Sequence, residues 1–272
     1  MDPIPDLRAL AQQPLFEPVA EWLRSFGGAA PPHVGVLNSA LAALTAMPRA
    51  TSGAAIRFVP PGGFDGGYEE RVFARGEVET RAGNWHDFFN ALAWLAYPRA
   101  KCVLNGRHHA ALMAQRAAGR HERGAVRDAV TQFDECGLVV ACADMALLDL
   151  LRGHEWKELF WQRRAQVARD MRFFVFGHAS WDQLRAPFVG LTAKAVLLEV
   201  EPAWLAQPLA QQVEAIDGRL AELFSQAEAY ARPRDFQPLP LLGIPGVVAE
   251  NSEPSYYEDT RQFRAPRKKG PA

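Results

Sequence analysis

The run from Asn84 to Tyr97 carries side chains whose types and spacing could do chemistry. On a helical wheel with ~100° per residue, the apolar residues of this run fill one broad face. The second face lacks the Lys, Glu and Arg that a solvated face normally carries. It is therefore predicted to line a pocket or to contact another layer of the fold. Its members are an imidazole, a carboxylate, a carboxamide and two amphipathic aromatics: His86, Asp87, Asn90, Trp94 and Tyr97.

The chemistry expected from this face is acid–base or metal-assisted. An imidazole near a carboxylate can serve as a general base, and both groups can bind a divalent cation. We therefore interpret His86, Asp87 and Asn90 as candidate catalytic residues. A structural interpretation stays open, because Asn84 is a good N-cap, Asp87 can complete a capping box, and His86 can be a buried, hydrogen-bonded histidine. Asn90 gains nothing from helix propensity, so its side chain is expected to have a specific partner.

His178 is the fourth candidate catalytic residue. It follows the apolar run Phe173–Phe176 and Gly177, at a predicted strand end, where catalytic side chains are often displayed. If His178 acts together with His86, their side chains must approach within several ångströms in the fold. A serine hydrolase has little support, because no Gly-x-Ser-x-Gly elbow surrounds Ser180.

A divalent metal is the cofactor that this sequence could hold, with ligands from distant segments. No HExxH motif is present. His108 and His109 point ~100° apart on a helix, so at most one of them readily joins a shared site. Asp134 and Glu135 are adjacent acids at a predicted hairpin tip, where acids are usually solvated. The candidate metal ligands are His86, His108, Asp134, Glu135 and His178.

The fold class predicted from the periodicity is α+β, predominantly helical with short antiparallel strands and hairpins. Short strands are predicted at Ile56–Val59 and Tyr68–Phe73, on either side of a glycine-rich turn. A hairpin is predicted over 131–141 and a buried strand over 171–176. Helices are predicted from about Trp85 to Ala96, from an N-cap at Asn105 to about Ala118, over Met145–Leu151 after an Asp144 N-cap, from Trp156 to about Asp170, and over Leu209–Tyr230.

The chain of 272 residues is expected to form a single domain, 1–272. Proline breaks separate short helical segments over 1–50, which we expect to form a peripheral N-terminal segment. Prolines and glycines dominate over 233–272, which we expect to wrap the surface in extended form.

Composition and charge exclude several classes of protein. With 49% hydrophobic and 22% charged residues, the chain is not wholly disordered. A net charge of −1 argues against nucleic acid as a partner. The absence of a long apolar run predicts no membrane partner, and three cysteines without a CxxC pair predict a reducing, cytoplasmic location. Phosphate contact stays the weaker alternative, through Arg163, Arg164, Arg169, Arg172 and the basic tail of Arg261, Arg264, Arg267, Lys268 and Lys269.

Several long runs of this sequence resemble one known family. They are NWHDFFNALAWLAYPRAK, LNGRHHAAL, FDECGLVVA, WKELFW, MRFFVFGHAS, GLTAKA and PLPLLGIPG…YYEDTRQFR. In this order they resemble the bacterial family known as domain of unknown function 3025, from about residue 55 to the C-terminus. The resemblance implies one family-wide, bacterial and cytoplasmic domain and supplies no residue roles. The family pattern has tryptophan after the glycine of its LGIPG run, whereas Val247 follows Gly246 here.

Two functions from different classes follow from these residues. The favoured one is a small-molecule or phosphoester hydrolase that uses a pocket of His, Asp and Asn side chains with acid–base or metal-assisted chemistry. The alternative is a non-enzymatic binding or assembly protein, with a homo-oligomer as one form. It would use the aromatic-rich helix and the C-terminal residues Tyr256, Tyr257 and Phe263 to dock a partner or a second copy.

Overall fold

A computed structural model describes residues 6–119 and 122–266. The protein is 55% helical with 12% strand, in small sheets, which confirms the α+β, predominantly helical class. Among the described residues, no helix is both long and apolar enough to cross a membrane.

The first half of the chain is mostly helical. Its α-helices are α1 (Leu7–Leu10), α2 (Ala20–Phe26), α3 (Val34–Ala42), α4 (Tyr68–Arg75), α5 (Trp85–Ala96), α6 (Pro98–Ala117) and α7 (Ala125–Cys136). A 3₁₀ helix covers Pro14–Val19, and the short strands β1 (Arg57–Val59) and β2 (Glu77–Glu79) pair in parallel.

The second half contains the main sheet. Its strands are β3 (Gly137–Cys142), β4 (Met171–Val175), β5 (Thr192–Glu199) and β6 (Gln237–Pro240). Its α-helices are α8 (Met145–Arg152), α9 (Arg164–Asp170), α10 (His178–Leu184), α11 (Pro202–Leu205) and α12 (Leu209–Ser225). A π-helical turn covers Glu158–Gln162, and 3₁₀ turns cover Pro233–Asp235, Leu241–Gly243, Ala249–Ser252 and Pro254–Glu258.

The main sheet is mixed, in the order β4-β3-β5-β6. β3 pairs antiparallel with β4 and parallel with β5, and β6 pairs antiparallel with the other edge of β5. Every residue of β3 is buried, as expected of a central strand covered on both faces. Pro238 and Pro240 lie in β6, an edge strand where the missing N–H is tolerated.

Buried apolar side chains form one continuous cluster from Leu7 to Phe263. The segment over 1–50 contributes buried residues such as Phe16, whose ring lies 6.0 Å from that of Phe89 on α5. The segment over 233–272 contributes β6 and the buried Tyr257 and Phe263.

The N-caps of α5 and α8 and the end of α5 are formed as the sequence predicts. The Asn84 side chain caps α5 by accepting a hydrogen bond from the backbone N–H of Asp87 at 3.0 Å. The Asp144 side chain caps α8 by accepting from the N–H of Ala146 at 2.9 Å. α5 ends at Ala96, as predicted.

The strand predicted at Tyr68–Phe73 is wrong, because this segment is the helix α4. Glu69 and Glu70 lie in its first turn, where carboxylates complement the helix dipole. Gly76 follows its last residue with φ 68°, the left-handed conformation that commonly ends a helix. These end signals outweigh the short alternation of apolar and polar residues that suggested a strand.

Three further predictions are corrected. The hairpin predicted over 131–141 is the end of α7 followed by β3, and Gly137 marks their junction rather than a turn tip. Asp134 and Glu135 therefore lie in the last turn of a helix. Asn105 is not an N-cap, because α6 begins at Pro98, seven residues earlier. The predicted end of α12 at Tyr230 is also too late, since the helix ends at Ser225.

Candidate functional site

Three side chains from three helices converge at one end of the main sheet. The Nε2 atoms of His86 and His178 lie 3.1 Å apart. The Glu135 carboxylate oxygen Oε2 lies 3.4 Å from the Nε2 of His178 and 3.9 Å from that of His86. We call these residues the His–Glu–His cluster. The structure thus brings together two candidate catalytic histidines and a candidate metal ligand.

The spacing of these atoms matches the size of a metal coordination sphere. Three atoms with these separations lie on a circle of radius about 2.0 Å. Zn²⁺ binds histidine nitrogens and carboxylate oxygens at ~2.0–2.2 Å, so one ion near the centre reaches all three atoms. Two histidines and one carboxylate are also a ligand set used by catalytic zinc, which keeps a further position for water or substrate.

Each member of the cluster is placed by the end of a helix. His86 lies in the first turn of α5, Glu135 in the last turn of α7, and His178 is the first residue of α10. His178 is 3% exposed, whereas the side chains of His86 and Glu135 are 38% and 40% exposed. The cluster is therefore buried on the His178 side and open on the other.

A contact between two backbones sets the distance between α7 and α10. The N–H of Gly177 donates to the carbonyl of Gly137 at 2.9 Å. A Cβ atom added to Gly177 would lie 2.3 Å from the nitrogen of Gly137 and 2.4 Å from the Cα of Cys136. Only glycine permits this approach, which places His178 beside Glu135.

A chain of hydrogen bonds runs from α4 to Asp134, next to the cluster. The Asn90 carboxamide donates to the Tyr68 hydroxyl at 2.8 Å and accepts from the Lys101 ammonium at 2.9 Å. Lys101 also donates to Asp134 at 2.6 Å. The other carboxylate oxygen of Asp134 lies 3.7 Å from the Nδ1 of His178. Asn90 thus has the specific partners that its position in a helix interior indicates.

A cavity of about 250 Å³ opens beside the cluster. One wall is Glu69 of α4, whose carboxylate accepts a hydrogen bond from the Asn105 side chain at 2.7 Å. The cavity is lined by Tyr68, Glu69, Glu79, Arg81, His86, Asp87, Asn90, Trp94, Lys101, Leu104, Asn105, Val130, Thr131, Asp134, Glu135 and His178.

Burial and neighbouring charges shift the pKa values in this cavity in different directions. Burial lowers the pKa of His178 to about 3, so its imidazole is neutral at pH 7. Burial and the nearby Asp134 raise the pKa of Glu135. Burial also acts to raise the pKa of Asp134, but Lys101 and His178 outweigh it and the pKa is lowered. Burial raises the pKa of Glu69 to about 7.

Asp87 is directed away from the cluster. Its carboxylate pairs with the Arg81 guanidinium through two bonds of 2.7 Å and accepts from the backbone N–H of Arg81 at 2.8 Å. Burial acts to raise the pKa of Asp87, but these bonds outweigh it and the pKa is lowered. The capping box predicted for Asp87 is not formed, because the carboxylate accepts from the N–H of Arg81 rather than from that of Asn84. The bonds to Arg81 instead fix the chain before α5.

His108 is not a member of the His–Glu–His cluster. It is 4% exposed on α6 and does not line the cavity. His109 stacks on Phe73 of α4, with the ring centroids 3.6 Å apart. Asp134, in contrast, lies next to the cluster, where its carboxylate is held by Lys101.

Sequence reasoning did not identify Glu69 and Lys101. Glu69 was hidden by the strand predicted over its segment. Lys101 had a visible signal, because Lys101, Asn105 and His108 are spaced i, i+4 and i+7 and form a polar stripe on α6. All three are buried, which a stripe of polar residues among apolar ones indicates.

The other surfaces considered from the sequence are largely engaged within the chain. Tyr257 and Phe263 are buried and Tyr256 is partly buried, so most of the expected aromatic docking surface is covered. Of the tail, Arg267, Lys268 and Lys269 lie outside the described residues. The central arginines all bind groups of this chain: Arg163 to Glu158, Arg164 to Asn251, Arg169 to Asp170, and Arg172 to backbone carbonyls.

This α+β chain belongs to the family described as "Protein of unknown function (DUF3025)", whose model matches residues 56–267. The match covers α5, α7 and α10 and therefore all three residues of the His–Glu–His cluster. No curated protein and no solved structure matches the chain significantly.

Proposed function

We propose that this protein is a metal-dependent hydrolase of a small molecule. The observation that carries the proposal is the convergence of His86, Glu135 and His178, whose ligand atoms all lie within 4.8 Å of one another. The 250 Å³ cavity beside them leaves room for water and substrate. That volume lies near the lower end of the range of about 300–1,000 Å³ for ligand pockets, which favours a small molecule as the substrate.

The residues of the cluster have separate tasks in this proposal. His178 is buried and neutral, so its Nε2 lone pair is available to a cation at pH 7. Glu135 supplies the negative charge, and His86 closes the cluster from the exposed side. A divalent cation bound there would lower the pKa of a bound water and so supply hydroxide at neutral pH.

The surrounding residues keep the ligands in place. Lys101 holds the Asp134 carboxylate at 2.6 Å, and Asp134 lies beside the Nδ1 of His178. A carboxylate that accepts a hydrogen bond from the second nitrogen of a metal-binding histidine orients the ring, and closing the 3.7 Å gap to Asp134 by less than about 1 Å would form that bond. Asp134 and Lys101 are therefore positioning residues in this proposal.

Elemental analysis of the purified protein tests the metal site. We expect about one zinc ion per chain in the wild type and a loss of affinity of about 100-fold or more in His86→Ala and His178→Ala. His109→Ala is the matched control, since His109 lies one residue from His108 on α6 and outside the cluster. A wild type that binds no divalent metal, or a His86→Ala variant that retains it, contradicts the proposal.

Activity on a panel of small esters, amides and phosphoesters tests the hydrolase class. We expect hydrolysis that disappears with a chelator and returns with zinc or manganese. If metal binds but no member of the panel is hydrolysed, and light scattering shows a stable oligomer, the assembly alternative replaces the enzyme.

We also infer a cytoplasmic location and a bacterial origin. The location is supported by Cys102, Cys136 and Cys142, which are all free thiols. The origin is supported by the resemblance of the sequence runs to a bacterial family.

A further inference from the structure

The cations that line the cavity are already paired with carboxylates of the chain. The Arg81 guanidinium binds Asp87 through two bonds of 2.7 Å. The Lys101 ammonium binds Asp134 at 2.6 Å. No other lysine or arginine lines the cavity in the part of the chain that the structure describes. An anionic ligand would therefore find no free side-chain cation there.

By contrast, two carboxyl groups that line the cavity lack a lysine or arginine partner among the described residues. Neither Glu69 nor Glu135 forms an ion pair with a lysine or arginine among residues 6–119 and 122–266. Glu135 belongs to the His–Glu–His cluster. Glu69 has no such task, and the hydrogen bond that its carboxylate accepts comes from the neutral Asn105 side chain. A largely buried carboxylate without a cationic partner is costly unless a ligand supplies one.

The wall around Glu69 also has an unused acceptor. The Asn105 side chain directs its Nδ2 to the carboxylate and the backbone carbonyl of Glu69. Its Oδ1 is buried and has no hydrogen-bond partner among the described residues. Buried polar atoms are rarely left unpaired, so this atom and Glu69 together suit a group rich in N–H donors.

We infer that the cavity binds a small ligand with a cationic, N–H-rich group, such as an amidine or a guanidine, and disfavours phosphoesters. As the substrate class of an enzyme the inference rests on the proposed hydrolase, but the preference for a cation rests on Glu69 and Asn105. The ionised Glu69 carboxylate and Asp134 repel a phosphate brought beside them, so a phosphoester is disfavoured. Glu69 is the residue that determines specificity, because it is the carboxyl group of the cavity that is held neither by a cation nor by the cluster.

Calorimetric titration of the metal-free full chain tests the inference, with methylguanidinium chloride and methyl phosphate as probes at equal ionic strength. The metal is left out because a bound zinc ion would itself attract methyl phosphate. We expect methylguanidinium to bind at least about tenfold more tightly than methyl phosphate. In Glu69→Gln we expect about a tenfold loss of methylguanidinium affinity, with the separately measured zinc content unchanged. The matched control is Glu70→Gln, which removes the same charge from the next residue of α4, where Glu70 pairs with Arg116 on the surface.

The outcomes separate this inference from the proposed function. The inference is overturned if methyl phosphate binds as tightly as methylguanidinium. It is also overturned if Glu69→Gln binds methylguanidinium as tightly as the wild type does. If the wild type binds no zinc, the proposed function fails, and the titration of the metal-free chain still decides the ligand class. If Glu69→Gln does not fold, the comparison of the two probes on the wild type decides it alone.

Discussion

Two buried polar regions of this protein are built in opposite ways. The first is the C-terminal turn around Asn251, which is fully buried. Its Nδ2 donates to the carbonyls of Leu242 and Ile244 at 3.0 and 2.7 Å. Its Oδ1 accepts from the Arg164 guanidinium at 3.2 Å and from the N–H of Gly246 at 3.3 Å. Each polar atom of this side chain therefore has partners within the chain.

The second region is the cavity, where several polar groups lack partners. The Nδ1 of His178, the Oδ1 of Asn105 and the Nε1 of Trp94 are buried without a hydrogen bond among the described residues. Native proteins leave few such atoms, and each calls for an explanation such as a ligand or an ion. The polar atoms of the Asn251 turn are thus satisfied within the chain, whereas those of the cavity are free to pair with a ligand.

The largest effect is expected at Asn251. Replacement by alanine removes four hydrogen bonds and leaves two backbone carbonyls buried, so the free energy of unfolding should fall by about 3 kcal/mol. Urea denaturation measures this change. The neighbouring Ser252→Ala is the control, because the exposed Ser252 hydroxyl donates only to Ala249 and its loss should cost under about 1 kcal/mol. Equal losses in both variants would remove the contrast between the two regions.

His108 should give the next effect, as a dependence of stability on pH. Burial and the nearby Arg127 and Arg123 lower the pKa of His108 from 6.5 to about 4. Between these two values the unfolded chain binds the proton and the folded chain does not, so stability is complete above pH 6.5 and falls as the pH drops towards 4. The contribution of one proton is at most about 1.4 kcal/mol per pH unit.

His108→Gln should flatten this slope between pH 6.5 and 4. Urea denaturation of the metal-free chain at several pH values measures it. The partly exposed His154→Gln serves as the control variant, and a slope that is the same in all three proteins would contradict the assignment.

The smallest expected effect, at Glu135, is a gain in stability rather than a loss. Burial and Asp134 disfavour the ionised carboxylate of Glu135 in the fold. Glu135→Gln should therefore raise the unfolding free energy of the metal-free chain by about 0.5–1 kcal/mol at neutral pH, while zinc affinity falls. Glu214→Gln, in an exposed pair with Arg99, should change stability by less than about 0.5 kcal/mol. A loss of stability in Glu135→Gln would place Glu135 with Asn251 as a structural residue.

The sequence predicted much of the local structure near the site. The bounds of α5 and its Asn84 cap follow from periodicity and capping, and His178 at the end of a buried strand follows from an apolar run that ends in glycine. These signals are local, so a single sequence contains them. The proximity of His86 and His178, 92 positions apart, was a condition of the enzyme hypothesis and not a derivation from the sequence.

The parts that sequence reasoning missed depend on contacts between distant segments. Glu69 lies in a helix that was read as a strand, and it meets Asn105 across 36 positions. Lys101 finds Asp134 across 33 positions. Asp134 and Glu135 looked like solvated turn acids, because only the packing of α7 against α10 shows that this helix end faces a cavity. Side-chain types indicated chemistry, but tertiary packing decides which of them meet.

The close approach of Gly177 to Gly137 has a consequence for how this chain tolerates change. A methyl group at position 177 would meet the backbone at 2.3 Å and would force the start of α10 away from the end of α7. The ligand atoms of His178 and Glu135 would then separate although neither side chain had been altered. Substitutions are therefore expected to be rarer at position 177 in this family than at many residues that line the cavity, because the backbone contact admits only glycine.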